Sequence, residues 1–301
     1  MAAVPDSPTG DRATDAFVAH RNLLFTIAYE MLGSAADAED VLQETWLRWH
    51  GVTLDEVRDQ RAYLARMTTR QALSRLRTLR RRKESYVGPW LPEPLLTAPD
   101  VAEDVELADS VSMAMLLVLD TLGPTERAVF VLREVFEFDY DEIAEAVGKR
   151  PDAVRQIAHR ARGHIAARRP RGIAAPTDAE AALRAFRLAV EAGEIQGLLD
   201  ILAPDVVFLG DGGGVVPAAK APVIGAEVVS QQLAVAIPRI ATRHTLESAQ
   251  VNGYPALVLR LDGRIEGVVT VRTDDGLVTG LYVVANPQKL SWVEHESSLS
   301  R

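Results

Sequence analysis

The side chains best suited to recognition chemistry lie between residues 155 and 160. Arg155, Gln156, His159 and Arg160 recur at a spacing that places them on one side of a helix. Arginine and glutamine can read base edges in a DNA major groove, and further arginines can hold phosphates. The stretch also fits an ordinary helical hairpin with a solvated basic face, so two interpretations remain open from these residues alone.

Two short helices joined by a tight turn are predicted to position these side chains. Asp139 and Glu142 have the spacing of a capping box for the first helix. Gly148 is a typical helix stop, and Pro151 suits the first turn of the second helix. The second helix has an apolar side that faces away from the basic one: Val154, Ile157, Ala158, Ala161 and Ile165. This is the organisation of a helix-turn-helix.

The charge distribution separates this chain from an ordinary acidic protein. Its net charge of −9 argues by itself against a nucleic-acid partner. However, Arg61–Lys83 contains basic residues and no acid, and Lys149–Arg171 contains one acid, Asp152. Because the local electrostatic field, and not the net charge, attracts a polyanion such as DNA, two separate basic patches predict two DNA contacts.

Composition and length exclude several other classes. The chain has no cysteine, which excludes disulfides and thiolate metal sites. Its polar N-terminus lacks the apolar core of a signal peptide, and no apolar run reaches the length of a membrane span. We therefore expect a cytoplasmic protein, and 301 residues predict two or three domains.

A second polar stripe lies in the predicted helix 37–49. Asp40, Gln43, Glu44 and Leu47 share one face, opposite an apolar stripe that includes Trp46 and Trp49. A solvated face is the simplest interpretation. An acidic face that ends in an exposed leucine is also typical of a helix that docks on a basic partner.

The segment Glu84–Pro99 is rich in both proline and large apolar residues. Its four prolines exclude a helix or a central strand. Its apolar residues are too many for a free linker: Tyr86, Val87, Trp90, Leu91, Leu95 and Leu96. The segment is expected either to dock in a groove or to wrap its neighbouring domain.

The remaining chain alternates between helix and strand signals. Single helices are predicted over Val105–Leu122 and Thr125–Glu134, and a capping box at Thr177–Glu180 opens another. Strands are then predicted at 206–209, 245–251, 256–261, 265–273 and 277–285. Helices followed by a curved antiparallel sheet indicate an α+β domain with room for a small-molecule pocket.

Taken together, three segments resemble an extracytoplasmic-function sigma factor of bacterial RNA polymerase. They are DAEDVLQETW, YLARMTTRQALSRLR and the stretch from LGPTERAVF to AHRAR, in that order. YVGPWLPEPL, DGGG at 211–214 and NPQKL at 286–290 resemble the group with a fused SnoaL-like, or NTF2-like, C-terminal domain. In that group lysine usually follows the glycine run. Here Val215 follows it, Lys220 is the nearest lysine, and Gln288 replaces the usual aspartate. Because Asp211 and the three glycines follow a predicted strand, they are expected to form a tight, exposed turn.

The resemblance implies a multidomain fold with two all-α sigma domains and an α+β SnoaL/NTF2-like cone. The implied divisions are 12–83 for region 2, 84–104 for the linker, 105–170 for region 4 and 176–290 for a regulatory domain. The implied partners are bacterial core RNA polymerase and promoter DNA, with no membrane and no separate anti-sigma factor. No cofactor, metal or catalytic residue is expected.

The resemblance also assigns roles to particular residues. Core polymerase is expected at Asp40, Gln43, Glu44 and Leu47. The −10 element is expected at Arg61, Arg66, Arg70, Gln71 and Arg75, and the −35 element at Arg155, Gln156, His159 and Arg160. Regulatory contacts between domains are expected at Trp90, Leu91, Pro92, Pro94, Leu95, Asp211, Gly212, Gly213, Gly214, Asn286 and Pro287.

A different function of the C-terminal domain stays open. SnoaL-like folds include enzymes with Asp/His acid–base pairs, and His244 with Asp205, Asp211 and Asp262 are the candidate groups here. A ligand sensor without catalysis is the other alternative, because a bound small molecule can bias a domain arrangement.

Overall fold

The computed structural model describes residues 8–168, 176–193, 195–241 and 244–301. Within these residues the chain forms two compact units. Unit 1 comprises Met1–Arg81, Leu119–Ala167 and Leu299–Arg301, and unit 2 comprises Arg82–Val118 and Arg168–Ser298. The first seven residues of the predicted polar N-terminus and the end of the predicted region 4, at residues 169–170, lie outside the described residues.

The helices and strands alternate in blocks along the described chain. The α-helices are α1 (Pro8–Leu32), α2 (Ala35–Trp49), α3 (Gln60–Glu84), α4 (Pro99–Glu103), α5 (Val105–Val111), α6 (Met113–Asp120), α7 (Pro124–Phe130), α8 (Tyr140–Val147), α9 (Pro151–Arg168), α10 (Pro176–Ala192), α11 (Ile195–Leu199) and α12 (Ala226–Ala241). The strands are β1 (Leu202–Asp211), β2 (Val223–Ile224), β3 (Thr245–Val251), β4 (Tyr254–Leu261), β5 (Arg264–Asp274) and β6 (Leu277–Val284). None of the described helices is both long and apolar enough to cross a membrane.

Unit 1 is built on the apolar sides of α1, α2 and α3. Leu24, Ile27 and Met31 of α1 are buried as the helical period predicts. Ser34 caps α2 by accepting a hydrogen bond from the Asp37 backbone amide at 3.1 Å. The indole of Trp49 is fully buried, and its Nε1 donates to the Ala13 carbonyl at 2.8 Å. These contacts fix the helix that carries the polar stripe at 40–47.

The α8–α9 pair has the predicted caps. Glu142 Oε2 accepts from the Asp139 backbone amide at 2.9 Å, which completes one side of the capping box. Gly148 ends α8 with φ = 67°, a left-handed conformation that glycine adopts without a Cβ clash. Pro151 begins α9. The predicted helix-turn-helix is therefore confirmed as a local structure.

Of the two helices predicted over 105–134, the first is interrupted and the second is continuous. Val105–Leu122 divides into α5 and α6 at Ser112, where ψ is 148°. The Ser112 hydroxyl accepts from the Met115 backbone amide at 3.2 Å, so serine starts a new helix and does not continue the old one. Thr125–Glu134 begins as α7 and continues as a π-helical turn over Val131–Val135. The prediction of a single helix over Val105–Leu122 was therefore wrong, because apolar periodicity does not detect a cap within the run. The helix predicted over Thr125–Glu134 is present, with a π-helical last turn.

Unit 2 contains a six-stranded sheet in the order β2-β1-β6-β5-β4-β3. Four neighbouring strand pairs are antiparallel, but β1 and β6 are parallel. The expectation of a purely antiparallel sheet was therefore wrong, and the two-residue strand β2 was not predicted. Parallel neighbours need a long crossover, and here the chain from α12 to β5 supplies it.

Both faces of this sheet are buried. Leu257 and Leu259 of β4 pack with α10, α11 and α12 on one face. Ala256 and Val258 alternate with them and face the opposite side. There the core also includes Leu91 of the proline-rich segment, with Met113, Leu290 and Val293. The predicted linker is thus an outer layer of the C-terminal sheet, and this explains its apolar composition.

Candidate functional site

The polar side of α9, here called the α9 surface, consists of Arg155, Gln156, His159 and Arg160. All four side chains are exposed, while Val154 and Ala158 on the other side are buried. Arg155 Nη1 donates to Asp152 at 2.7 Å. Within the described part of the chain, the other three have no hydrogen-bond or ion-pair partner. The structure brings all four predicted residues together on one open surface.

Tyr140, at the start of α8, lies among three arginines near this surface. Its ring centroid is 5.5 Å from Arg155 Cζ and 4.8 Å from Arg133 Cζ. Arg162 Nη2 lies 3.4 Å from the Tyr140 hydroxyl oxygen. An arginine over an aromatic ring is attracted by the negative ring face. Tyr140 was not predicted as a site residue, although DYDE places an aromatic residue in the first turn of α8.

The polar stripe of α2, here called the α2 surface, is also exposed. Asp40, Gln43 and Glu44 are open to solvent, and the side chain of Leu47 is 69% exposed. Asp40 and Gln43 line a shallow groove of about 340 Å³ between α1 and α2. Trp46, which was expected inside, is half-buried because its ring packs edge-on against Phe17 in the wall of this groove.

Two of the residues expected to read the −10 element are paired with α2. Arg75 Nε donates to Asp37 at 2.6 Å, and Arg75 Nη2 donates to Asp40 at 3.0 Å. With its amide oriented to satisfy both neighbours, Gln71 donates to Glu44 at 3.1 Å. The expected polymerase and −10 residues therefore share ion pairs and hydrogen bonds, a link that sequence spacing does not show.

The other three expected −10 residues contact the α7–α9 part of unit 1. Arg61 Cζ lies 4.8 Å from the ring centroid of Phe138. Arg66 forms an ion pair with the Glu145 carboxylate, and Arg70 Nη2 donates to the Glu145 carbonyl at 2.7 Å. All five side chains lie on α3 as predicted, but each has an intramolecular partner.

Arg127 provides a buried link within unit 1. Its side chain is 2% exposed. Its Nε donates to the Glu30 carbonyl of α1 at 2.8 Å, and its Nη1 pairs with Asp120 at 3.1 Å. Burial lowers the pKa of Arg127, and the carboxylates of Asp120 and Glu30 oppose that shift. A lone arginine in an apolar helix gives no sequence signal, so this residue was not predicted.

Unit 2 contains a buried cluster around Asp211, which we call the Asp211 cluster: Tyr86, Trp90, Leu91, Asp211, Asn286 and Lys289. The Asp211 side chain is fully buried. Its Oδ1 accepts from the Tyr86 hydroxyl at 2.5 Å and from the Gly213 amide at 3.1 Å. Its Oδ2 accepts from the Leu91 amide at 2.9 Å and from Lys289 Nζ at 2.8 Å. The expectation that Asp211 lies on an exposed turn was wrong, because four donors hold it inside.

Lys289 is the cation of this cluster, and it was not predicted as a site residue. Its Nζ donates to the Leu91 carbonyl at 2.6 Å and lies 3.6 Å from the Trp90 ring centroid. Burial lowers the pKa of Lys289 to about 8, against the opposing effect of Asp211. Lys220, in contrast, is exposed. The signal was present in the NPQKL stretch, whose lysine is the penultimate residue.

Tyr86 stays a neutral donor in this setting. Burial, and then its hydrogen bond to the Asp211 carboxylate, raise the pKa of Tyr86. Its hydroxyl oxygen also accepts from Asn286 Nδ2 at 2.7 Å. Asn286 is buried, and the following Pro287 is exposed at the start of a short 3-10 turn.

The glycine run leaves room for these polar contacts. Gly213 has φ = 63°, and a Cβ there would overlap the Asn286 amide. A Cβ on Gly212 would overlap the Val216 carbonyl, and one on Gly214 would press on Val87. The three glycines thus let backbone and side chains approach closely around Asp211.

The proline-rich segment is held at a second point further along. Pro92, Pro94 and Leu95 are buried. The Leu95 amide donates to Asn252 Oδ1 at 3.0 Å, and Asn252 Nδ2 donates to the Val111 carbonyl at 3.0 Å. Asn252 was not predicted, because it lies in an ordinary Asn-Gly turn between β3 and β4.

The candidate acid–base residues are not brought together. His244 Nε2 lies 2.9 Å from Glu266 Oε2. Asp211 is engaged in its own cluster, and Asp205 and Asp262 are exposed. No hydrogen bond among the described residues joins His244 to any of these three aspartates.

Family models match the two helical parts of the chain. Sigma-70 region 2 matches residues 16–82, which include the α2 surface and most of α3. Sigma-70 region 4 matches residues 112–165, which include the α9 surface. The two matches occur in the order and at the places that the motifs indicated. They define the class as that of sigma-70-type factors.

Relatives that match over most of both chains identify the class of sigma factor more closely. The chain is 34% identical over 289 residues to the ECF RNA polymerase sigma factor SigJ of Mycobacterium tuberculosis, covering 91% of this chain and 92% of the relative. It is 31% identical to a probable ECF RNA polymerase sigma factor, SigI, of the same organism, covering 93% of this chain and 95% of the relative. The crystal structure of Mycobacterium tuberculosis SigJ matches with a TM-score of 0.73 at 33% identity, covering 92% of this chain and 97% of that one.

The chain therefore belongs to the extracytoplasmic-function sigma factors of RNA polymerase. The expected fold class, two helical sigma regions followed by an α+β part with a six-stranded sheet, is confirmed.

Proposed function

We propose that this chain binds bacterial core RNA polymerase and directs it to promoters through a −35 and a −10 element. The observation that supports this proposal most directly is the α9 surface. Its four side chains are exposed together on the second helix of a helix-turn-helix: Arg155, Gln156, His159 and Arg160. Such a helix enters the major groove, where arginine and glutamine discriminate bases.

The α2 and α3 residues support the other two contacts. Asp40, Gln43, Glu44 and Leu47 form an exposed acidic ridge with an apolar end, which suits a basic polymerase segment. The arginines of α3 suit a displaced DNA strand. Extracting a base from the stack costs a few kcal/mol, and a basic groove offsets that cost.

Run-off transcription with purified, sigma-free core polymerase tests this function. We expect a transcript from one start site when chain, core and promoter are combined. Replacing the −35 or the −10 element should reduce it by at least about tenfold, because each mismatched base pair costs about 1–3 kcal/mol. A start-site pattern that is the same with and without the chain would contradict the proposal.

We further propose that the C-terminal domain regulates the factor in cis, in place of a separate anti-sigma protein. Asp211 and Asn252 hold the segment that connects the two sigma regions, and its Leu91 belongs to the core of the sheet. By fixing this segment, the domain would set the spacing between the −35 and −10 contacts.

Promoters with stepwise changes in the −35 to −10 spacer test this regulation. Full-length protein should show one preferred spacing, and Asp211→Asn should broaden the preference. Asp205→Asn, an exposed carboxylate on the same strand, is the matched control. Identical spacing profiles for all three proteins would contradict regulation through this cluster, without affecting the sigma function itself.

This role is favoured over catalysis in the C-terminal domain. The sheet face that packs with α10–α12 is filled by apolar side chains such as Phe186, Leu257 and Leu281. His244 is paired with Glu266 on the sheet and not with the candidate aspartates.

A further inference from the structure

One residue of the helix-turn-helix covers the arginines expected to hold the −10 strand. The Glu145 carboxylate on α8 forms an ion pair with Arg66, and its carbonyl oxygen accepts from Arg70 Nη2 at 2.7 Å. A single residue thus presents both a charged and a neutral oxygen to two neighbouring arginines of α3. Oxygen acceptors in this arrangement are also what a DNA phosphate would offer to the same guanidinium groups.

The surrounding contacts keep these groups together. The side chain of Arg66 is 27% exposed and lies 4.6 Å from the Tyr63 ring centroid, which orients it towards α8. Arg61 packs on Phe138, just before α8. Glu142 and Ala146 of α8 line the same narrow contact with Arg66 and Thr69 of α3. DNA cannot occupy this face of α3 while α8 remains on it.

A buried contact stabilises the covered arrangement. Arg127, 2% exposed, joins the Glu30 carbonyl of α1 to Asp120 at the end of α6. An exposed ion pair contributes little by itself, whereas a buried, hydrogen-bonded arginine is much harder to displace. Arg127 therefore holds regions 2 and 4 together, and Glu145 makes the contact that competes with DNA.

We propose that Glu145 is an autoinhibitory residue that occupies Arg66 and Arg70 of the free chain as a substitute for DNA phosphate. The contact is released when regions 2 and 4 separate on core polymerase. This inference rests on the proposed function, since it requires that α3 holds the −10 strand. It explains how a basic helix stays covered in a free sigma factor.

The test compares Glu145→Gln with Asp141→Asn. Both residues are exposed acids on α8, and both changes remove one negative charge, but Asp141 has no ion-pair partner among the described residues. Binding of a fluorescent single-stranded −10 oligonucleotide is measured first for the free chain and then for the reconstituted holoenzyme. A matched oligonucleotide with a scrambled −10 sequence is included.

We expect the free Glu145→Gln protein to bind the oligonucleotide about two- to fivefold more tightly than Asp141→Asn, the range of one exposed ion pair. In the holoenzyme the two variants should bind equally, because the contact has already opened. Equal affinity of the two free variants would overturn the inference while leaving the proposed function intact. Failure of wild-type holoenzyme to distinguish the −10 from the scrambled sequence would overturn the proposed function and this inference with it.

Discussion

The α9 surface and the Asp211 cluster both contain charged and amide side chains but are built in opposite ways. On α9, Gln156, His159 and Arg160 are exposed and have no partner within the described residues. Around Asp211, each carboxylate oxygen accepts two hydrogen bonds, and the cation beside it is 4% exposed. Polar groups without a partner at the surface can bind DNA, whereas buried groups whose hydrogen bonds are already made stabilise the fold.

This difference separates binding from architecture. Substitutions on α9 should change promoter binding and leave the free energy of unfolding nearly unchanged. Substitutions around Asp211 should change stability first, and transcription through the position of the proline-rich segment. The α3 residues are intermediate, since they are charged and partly exposed but paired inside the chain.

The largest effect is expected for Asp211→Ala. The change removes four hydrogen-bond acceptor contacts and leaves the Lys289 charge buried, which should lower the free energy of unfolding by about 3–5 kcal/mol. Urea unfolding measures it. Asp205→Ala, an exposed position on the same strand, should cost less than about 0.5 kcal/mol. Similar losses in both variants would remove the distinction between the cluster and the surface.

The next effect is a pH dependence from Lys289, whose pKa is lowered from 10.5 to about 8 in the fold. Between about pH 8 and pH 10.5 the unfolded chain binds more protons at Lys289 than the folded chain does. The contribution of Lys289 to the free energy of unfolding therefore rises with pH across this window and is lost as the pH falls through about 8. The full change is at most about 3 kcal/mol.

Urea unfolding of wild type and Lys289→Met at several pH values in this window measures the effect. The stability of wild type relative to the variant should increase as the solution becomes more alkaline. A constant or decreasing difference would mean that the lysine is not held in a desolvated site.

A smaller effect is expected for Arg155→Ala on α9. If Arg155 reads a base, −35 binding should weaken by about 1–3 kcal/mol, with stability changed by less than about 0.5 kcal/mol. The control repeats the measurement on promoters with single −35 substitutions. Arg155→Ala should weaken binding less on the promoter in which the base read by Arg155 is already replaced. A uniform loss on every sequence would assign Arg155 to a phosphate.

The smallest effect is expected at Tyr140. Tyr140→Leu removes the ring beside Arg155 and Arg133 and should reduce −35 discrimination by about two- to fivefold. Tyr140→Phe keeps the ring and should restore most of the discrimination. If phenylalanine and leucine have the same effect, the ring does not position Arg155.

The sequence was sufficient for the parts of the fold that depend on local pattern. The caps at Asp139 and Gly148, the buried side of α9 and the four main antiparallel strands follow from spacing and turn residues. The division at Ser112 and the parallel pairing of β1 with β6 do not, because they depend on a single hydroxyl and on contacts distant in the sequence.

The functional residues divide in the same way. Arg155 and its neighbours were found because an exposed helix face repeats along the chain. Lys289, Arg127 and Asn252 were missed because each acts through a partner more than 70 residues away. Asp211 was identified, but as a residue of an exposed turn, since the sequence gives no sign of the donors that surround it.

Footprinting of promoter DNA by reconstituted holoenzyme tests the central claim most directly. The wild-type chain should protect both the −35 and the −10 elements. The quadruple alanine variant of Arg155, Gln156, His159 and Arg160 should lose −35 protection, while Asp211→Asn should keep both protections on the preferred spacer. Retained −35 protection in the quadruple variant, or no protection by wild type, would contradict the account.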